Sequence, residues 1–182
     1  MATKLHFVHG GGDDALAYDK KIASRLQAQL GDAFEIEIPL IPGLEALDWP
    51  ATARELGKVL GALPPSALVV AHSIGAAAVL KLLSEGTDAS LKHLFLLAPP
   101  YQGKDGDWGD SDFGFVADFD AHLPKGLPIT LFHSDDDDTI PVDSAHHYAS
   151  VMPGAKVVIV HDYGHQFSGS LAFLAKAIKA AA

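Results

Sequence analysis

The sequence predicts an α/β protein whose mostly parallel sheet of about six strands carries helices on both faces. Short runs of branched apolar residues alternate with amphipathic stretches along the 182 residues, and no linker rich in Pro, Gly or Ser divides them. The runs are continuously apolar, as strands covered on both faces must be. The length suits one domain, residues 1–182, able to bury about 70% of the surface its unfolded chain exposes.

Leu5 to Val8 reads as the first strand. Ala15 to Leu30 follows as a helix, with Ile22, Leu26 and Leu30 on one face and Gly31 past its end. Phe34 to Ile38 is the second strand, and Pro39 to Asp48 a proline-punctuated loop. A helix from about Ala51 to Leu63 turns Leu56, Val59, Leu60 and Leu63 inward. Ala67 to Ala71 is the third strand; the helical pattern Ala76 to Leu83 comes after it and ends at Gly86. Leu94 to Ala98, Ile129 to His133 and Val157 to Val160 are the remaining strands. The least regular segment, Tyr101 to Gly126, carries Tyr101, Trp108, Phe113, Phe115 and Phe119, with one small helix expected around Phe115 to His122. His146 and His147 fall on a helix after Pro141, and a last helix follows His165.

Composition narrows the function. The formal net charge of −10 argues against nucleic acid and anionic membrane surfaces, since both are bound through Lys and Arg. No apolar run approaches the roughly 20 residues of a membrane-spanning helix. With 48% hydrophobic residues and 20% charged ones, disorder and coiled coil are both disfavoured. Met1 to Val8 reads as a strand and not as a secretory signal, and the chain contains no cysteine, so the cytoplasm is the expected compartment. Without cysteine there are no disulfides, thiolate nucleophiles or thiolate metal sites.

In open parallel sheets functional groups gather at the carboxyl ends of the strands. Reactive residue types do follow the strands here: His9-Gly10-Gly11-Gly12 after the first, Ser73 after the third, Asp135 to Asp138 after the fifth, Gly164-His165 after the last. Ala71-His72-Ser73-Ile74-Gly75 has the layout of a nucleophile elbow, in which an abrupt strand-to-helix turn holds the central residue strained and exposed. Its flanking residues must be small because strand and helix pass close together. A serine hydroxyl needs an imidazole to take its proton, and the imidazole needs a carboxylate to fix its tautomer. The order Ser, Asp, His along this chain supplies all three. Asp135, Asp136, Asp137 and Asp138 are contiguous and leave the choice of acid open, with Asp143 and Asp162 as more distant alternatives. Among the histidines, His161 competes with His165 but lies nearer the strand and lacks a preceding glycine. His72 is expected to point away from the site in a structural role. His146 and His147 are adjacent, so they diverge on a helix and do not suggest a metal site. The glycine cluster lacks both the GxGxxG and GxxxxGK(S/T) spacings of nucleotide-binding loops.

With HGGG after the first strand, AHSIG at the elbow, HSDDDDTIPV after a late strand and DYGHQF near the end, the chain resembles a small, lidless α/β-hydrolase of the serine esterase type over nearly its whole length. The resemblance implies Ser73 as nucleophile and His165 as general base. Asp137 is implied as the acid, since it stands four residues before Pro141 in a D-x-x-I-P pattern. It implies an oxyanion hole from the amides of Ile74 and Gly11, with Gly12 as the alternative. Tyr101, Trp108 and Phe167 are the expected substrate contacts under a minimal cap. The implied reaction cleaves a small ester or thioester through an acyl-enzyme, with no cofactor or metal. Acyl transfer or perhydrolysis by the same triad, and a non-catalytic interaction protein on the same fold, are the alternatives.

Overall fold

The computed structural model describes residues 2–101 and 112–182. Its sheet contains strands β1 (Thr3–Val8), β2 (Phe34–Glu37), β3 (Ala67–His72), β4 (Leu91–Leu97), β5 (Ile129–Ser134) and β6 (Lys156–Val160). They pair in parallel in the order β2-β1-β3-β4-β5-β6. The helices are α1 (Ala15–Leu30), α2 (Pro42–Glu45), α3 (Trp49–Gly61), α4 (Ser73–Ser84), α5 (Asp143–Val151) and α6 (Ala172–Ala181).

Alternation along each strand divides the core into two layers. Leu5, Phe7, Leu68, Val70, Phe95 and Leu97 pack on Ile22 and Leu26 of α1 and on Leu174 and Ile178 of α6. Val8, Val69, Ala71, Leu94 and Leu96 face the other way, onto Leu56 and Leu60 of α3, the small residues Ala76 to Ala78 of α4, and Tyr148 of α5. Helices therefore cover both faces, as expected.

Three local readings are corrected. Pro39 to Asp48 holds one helical turn, α2, with Pro42 at its start where a missing N–H costs nothing. The helix expected around Phe115 to His122 is a single 3₁₀ turn, Phe119–His122. On α3, Leu56 and Leu60 are fully buried while Val59 and Leu63 remain half-buried at its edge.

The strand order reverses between β1 and β3, which opens a crevice at their carboxyl ends. The His9 to Gly12 loop leaves β1 there and Ser73 leaves β3. That crevice is where the site must be sought.

Candidate active site

Ser73 opens α4 directly from β3, with φ of 52° in the left-handed region that L-residues avoid. The sharp turn brings α4 so close to β1 that a Cβ at position 75 would lie 2.0 Å from the His9 carbonyl oxygen, hence Gly75. Gly10 lies beside the serine on the other side, where an added Cβ would sit 3.3 Å from the Ser73 Cβ. Ser73 is half-buried.

His165 Nε2 stands 3.0 Å from Ser73 Oγ, and His165 Nδ1 2.8 Å from Asp137 Oδ2. The carboxylate accepts the Nδ1 proton, which leaves the Nε2 lone pair facing the hydroxyl. Asp137 and His165 sit in loops after β5 and β6, and their side chains are 0% and 7% exposed. Burial raises the Asp137 carboxyl, but the bond from His165 and the amides of Ile140 and Thr139, 2.8 and 2.9 Å from Oδ1, outweigh it and hold the group below the usual carboxylate range. The D-x-x-I-P pattern thereby acquires a physical content: the side chain of Asp137 closes its own turn with one oxygen and faces the imidazole with the other.

The neighbouring carboxylates have different tasks. Asp136 Oδ1 accepts the Gly164 amide at 2.8 Å and the Ser134 hydroxyl, while Ser134 Oγ accepts the Tyr163 amide at 3.0 Å, so the acid loop is laced to the loop carrying His165. Asp135 pairs with His161 at the exposed rim, and Asp138 contacts Thr139. His161 is therefore engaged away from Ser73. His133, fully buried beneath the acid loop, donates Nε2–H to Ile140 O at 2.9 Å and lies 3.5 Å from Asp137 Oδ2. Burial keeps its imidazole below its ordinary value, hence neutral.

The glycine loop bears on which amide is the expected oxyanion donor. Gly10 N–H goes to Asp19 Oδ2 at 2.6 Å and Gly12 N–H to Leu44 O at 3.1 Å. Among the described residues the Gly11 amide between them finds no acceptor. Side chains are excluded at Gly11 because a Cβ would collide with Ile74 Cγ2 at 2.2 Å. Gly11 is thus packed directly on Ile74, the other expected donor. His9 holds the loop from beneath, donating Nδ1–H to Gly10 O at 2.7 Å and accepting the Ile41 amide on Nε2 at 2.9 Å. Burial lowers its affinity for a proton and fits this neutral tautomer.

The three expected substrate contacts fare differently. Phe167 is fully buried against His72, Tyr163 and Phe173 on the α1/α6 side, so it is a core residue; its spacing from His165 could not reveal which way the ring turns. Tyr101 is half-buried in an aromatic cluster with Phe115, Tyr148 and His147. Trp108 lies outside the described residues. His72, expected to be structural, is fully buried, with Nδ1 against Asp19 and Nε2 against the backbone oxygen of His165; Asp19 gave no sequence signal because it sits on a distant helix. Among the described residues no cluster of three or more His, Asp or Glu side chains is arranged to hold a metal ion, and no helix is long and apolar enough to cross a membrane.

Known proteins share the family and the fold. The family model described as serine hydrolase matches residues 22–170. The structure resembles the ydeN gene product from B. subtilis, with TM-score 0.75 and 16% identity over 99% of this chain and 98% of that one. It also resembles the esterase domain of a Rhodothermus marinus protein, with TM-score 0.67 and 17% identity over 98% and 85%. Est1E from Butyrivibrio proteoclasticus is similar too, with TM-score 0.68 and 15% identity over 98% and 86%. No curated protein matches the sequence. The structural neighbours show the α/β-hydrolase fold, the family match spans most of the chain, and the protein belongs to the serine hydrolase family.

Proposed function

We propose that the protein cleaves a small carboxylic ester or thioester through an acyl-enzyme. The observation that carries this reading is the unbroken hydrogen-bond chain from Ser73 Oγ through His165 to Asp137, 3.0 and 2.8 Å long. Ser73 Oγ attacks the acyl carbon as its proton passes to His165 Nε2, and the carbonyl electrons move onto oxygen. The amides of Gly11 and Ile74 take up that negative charge. Asp137 stabilises the imidazolium and keeps its tautomer. When the tetrahedral intermediate collapses, the leaving alkoxide or thiolate departs with the proton from His165. Water then repeats the sequence: it loses a proton to His165, attacks the acyl-serine and releases the acid. The substrate is a small acyl compound, and no step calls for a cofactor.

The test is a short-chain aryl ester assay combined with fluorophosphonate labelling and peptide mapping. A burst of released chromophore and a label on Ser73 are expected, with turnover falling roughly 10⁶-fold in Ser73→Ala. A folded wild-type protein that neither hydrolyses such esters nor takes the label would sink the proposal.

A further inference from the structure

A second histidine–aspartate pair lies directly behind the first. His72 and Asp19 are 2% and 1% exposed, and their contact, Nδ1 to Oδ1, is 2.7 Å. The other ring nitrogen, His72 Nε2, lies 3.0 Å from the backbone oxygen of His165, and the other carboxylate oxygen accepts the Gly10 amide. A carbonyl oxygen only accepts, so Nε2 carries a proton. One further proton lies between Nδ1 and Asp19. Burial works against charge on this ring, yet the carboxylate and both hydrogen bonds outweigh it and raise its proton affinity above the ordinary value. Both ring nitrogens of His72 are thus committed to partners. The next two carbonyls of the same loop are held from α1 as well: Arg25 Nη2 donates to Gln166 O at 2.8 Å and to Phe167 O at 3.0 Å.

Three successive carbonyls at positions 165 to 167 are thus fixed by two side chains foreign to the loop, and the carboxylate that orients one of them also fixes the amide beside Gly11. A buried histidine–carboxylate pair is a poor way to gain stability, because desolvation offsets most of its attraction. It does fix geometry, since each atom accepts only one arrangement.

We infer that Asp19, His72 and Arg25 are positioning residues that set the base loop and the glycine loop in register, so that the imidazole and the oxyanion donors address one carbonyl. This rests on the proposed hydrolase reading. Misplacement of a reacting group by about 1 Å costs on the order of 10²-fold in rate, so the clamp acts on kcat and leaves KM largely alone.

The experiment measures kcat and KM for a short-chain aryl ester and the rate of fluorophosphonate labelling, on protein that circular dichroism shows to be folded. Asp19→Ala, His72→Phe and Arg25→Met are each expected to lower kcat and labelling rate by roughly 10- to 100-fold, with KM within about twofold. Asp19→Asn keeps an acceptor for Gly10 and gives His72 Nδ1 a donor in place of a carboxylate, so it retains activity within about threefold. Arg25→Lys restores a cation beside the two carbonyls and recovers most of what Arg25→Met loses. If the two buried variants fail to fold, the half-buried Arg25 pair carries the test. Variants that label and turn over at the wild-type rate would overturn the clamp while leaving the hydrolase reading intact. A wild-type protein that does not label at all would overturn both.

Discussion

Replacing Gly11 by alanine separates the two amides proposed for the oxyanion from the rest of the glycine loop. An added Cβ would lie 2.2 Å from Ile74 Cγ2, 2.6 Å from Leu47 Cδ2 and 3.0 Å from Leu44 O. Carbon atoms approach comfortably only to about 3.5–4.0 Å, so relief requires shifts of more than about 1 Å. Leu47 can yield through its side-chain end, but Leu44 O is backbone, and the remaining displacement falls on Gly11 or Ile74. Losing one oxyanion donor costs about 10²–10³ in kcat, or about 2.7–4 kcal/mol, and that is the expected loss. The control is Gly12→Ala. Position 12 has open space around it and its amide is already committed to Leu44, although its φ of 86° strains any other residue. It should lose about 1 kcal/mol of stability and keep kcat within about threefold. Adding Ile74→Ala to Gly11→Ala removes the worst collision and recovers part of the rate, a non-additivity expected only of packed neighbours. The assay is steady-state hydrolysis of an aryl ester with active sites counted by fluorophosphonate. Gly12→Ala as damaging as Gly11→Ala, or Gly11→Ala at the wild-type rate, would refute the reasoning.

Three further outcomes are expected. Since Ser73 holds φ of 52°, Ser73→Gly should melt higher than Ser73→Ala by the equivalent of about 1 kcal/mol; equal melting points would deny the strain. Asp136→Ala frees the Gly164 amide and should lower kcat roughly tenfold, whereas Asp136→Asn keeps an acceptor and much of the activity; identical rates in the two would remove Asp136 from the base loop's support. Burial holds His9 and His133 below the ordinary imidazole value near 6.5. Between the lowered and ordinary values the unfolded chain binds protons that the folded protein refuses, so these groups subtract stability as pH falls through that range. His133→Gln, which keeps a donor for Ile140 O, should flatten the decline in urea midpoint between about pH 7 and 5, and an unchanged slope would exclude His133 as a contributor.

What the sequence revealed depended on how local each signal was. Helix α1 is legible to the residue because its apolar face and Gly31 lie within one stretch. Strand β4 begins at Leu91 and not at Leu94 because its first residues, Leu91 to His93, are less buried and lack the apolar run. Ser73 and Asp137 announce themselves through neighbours that make their own turns: Gly75 beside the serine, and Thr139 and Ile140 beside the carboxylate. His165 was legible from the glycine before it and the strand preceding it. By contrast, nothing near Asp19 or Arg25 marks them, since their partners are 53 residues apart through His72, or 141 and 142 away in the base loop. Phe167 misled because an aromatic beside the base can turn toward the crevice or the core, and only packing against Phe173 decides.

The serine and the proposed base are anchored very unequally. Every position from Ile74 to Ser84 of α4 is buried, whereas the base loop hangs from β6, an edge strand that is largely half-buried. Segments with fewer buried contacts open at lower free energy than the centre of a fold. Warming or mild urea will therefore silence turnover while the hydroxyl keeps its address, and on return to native conditions catalysis will revive quickly, because only the periphery has to close again.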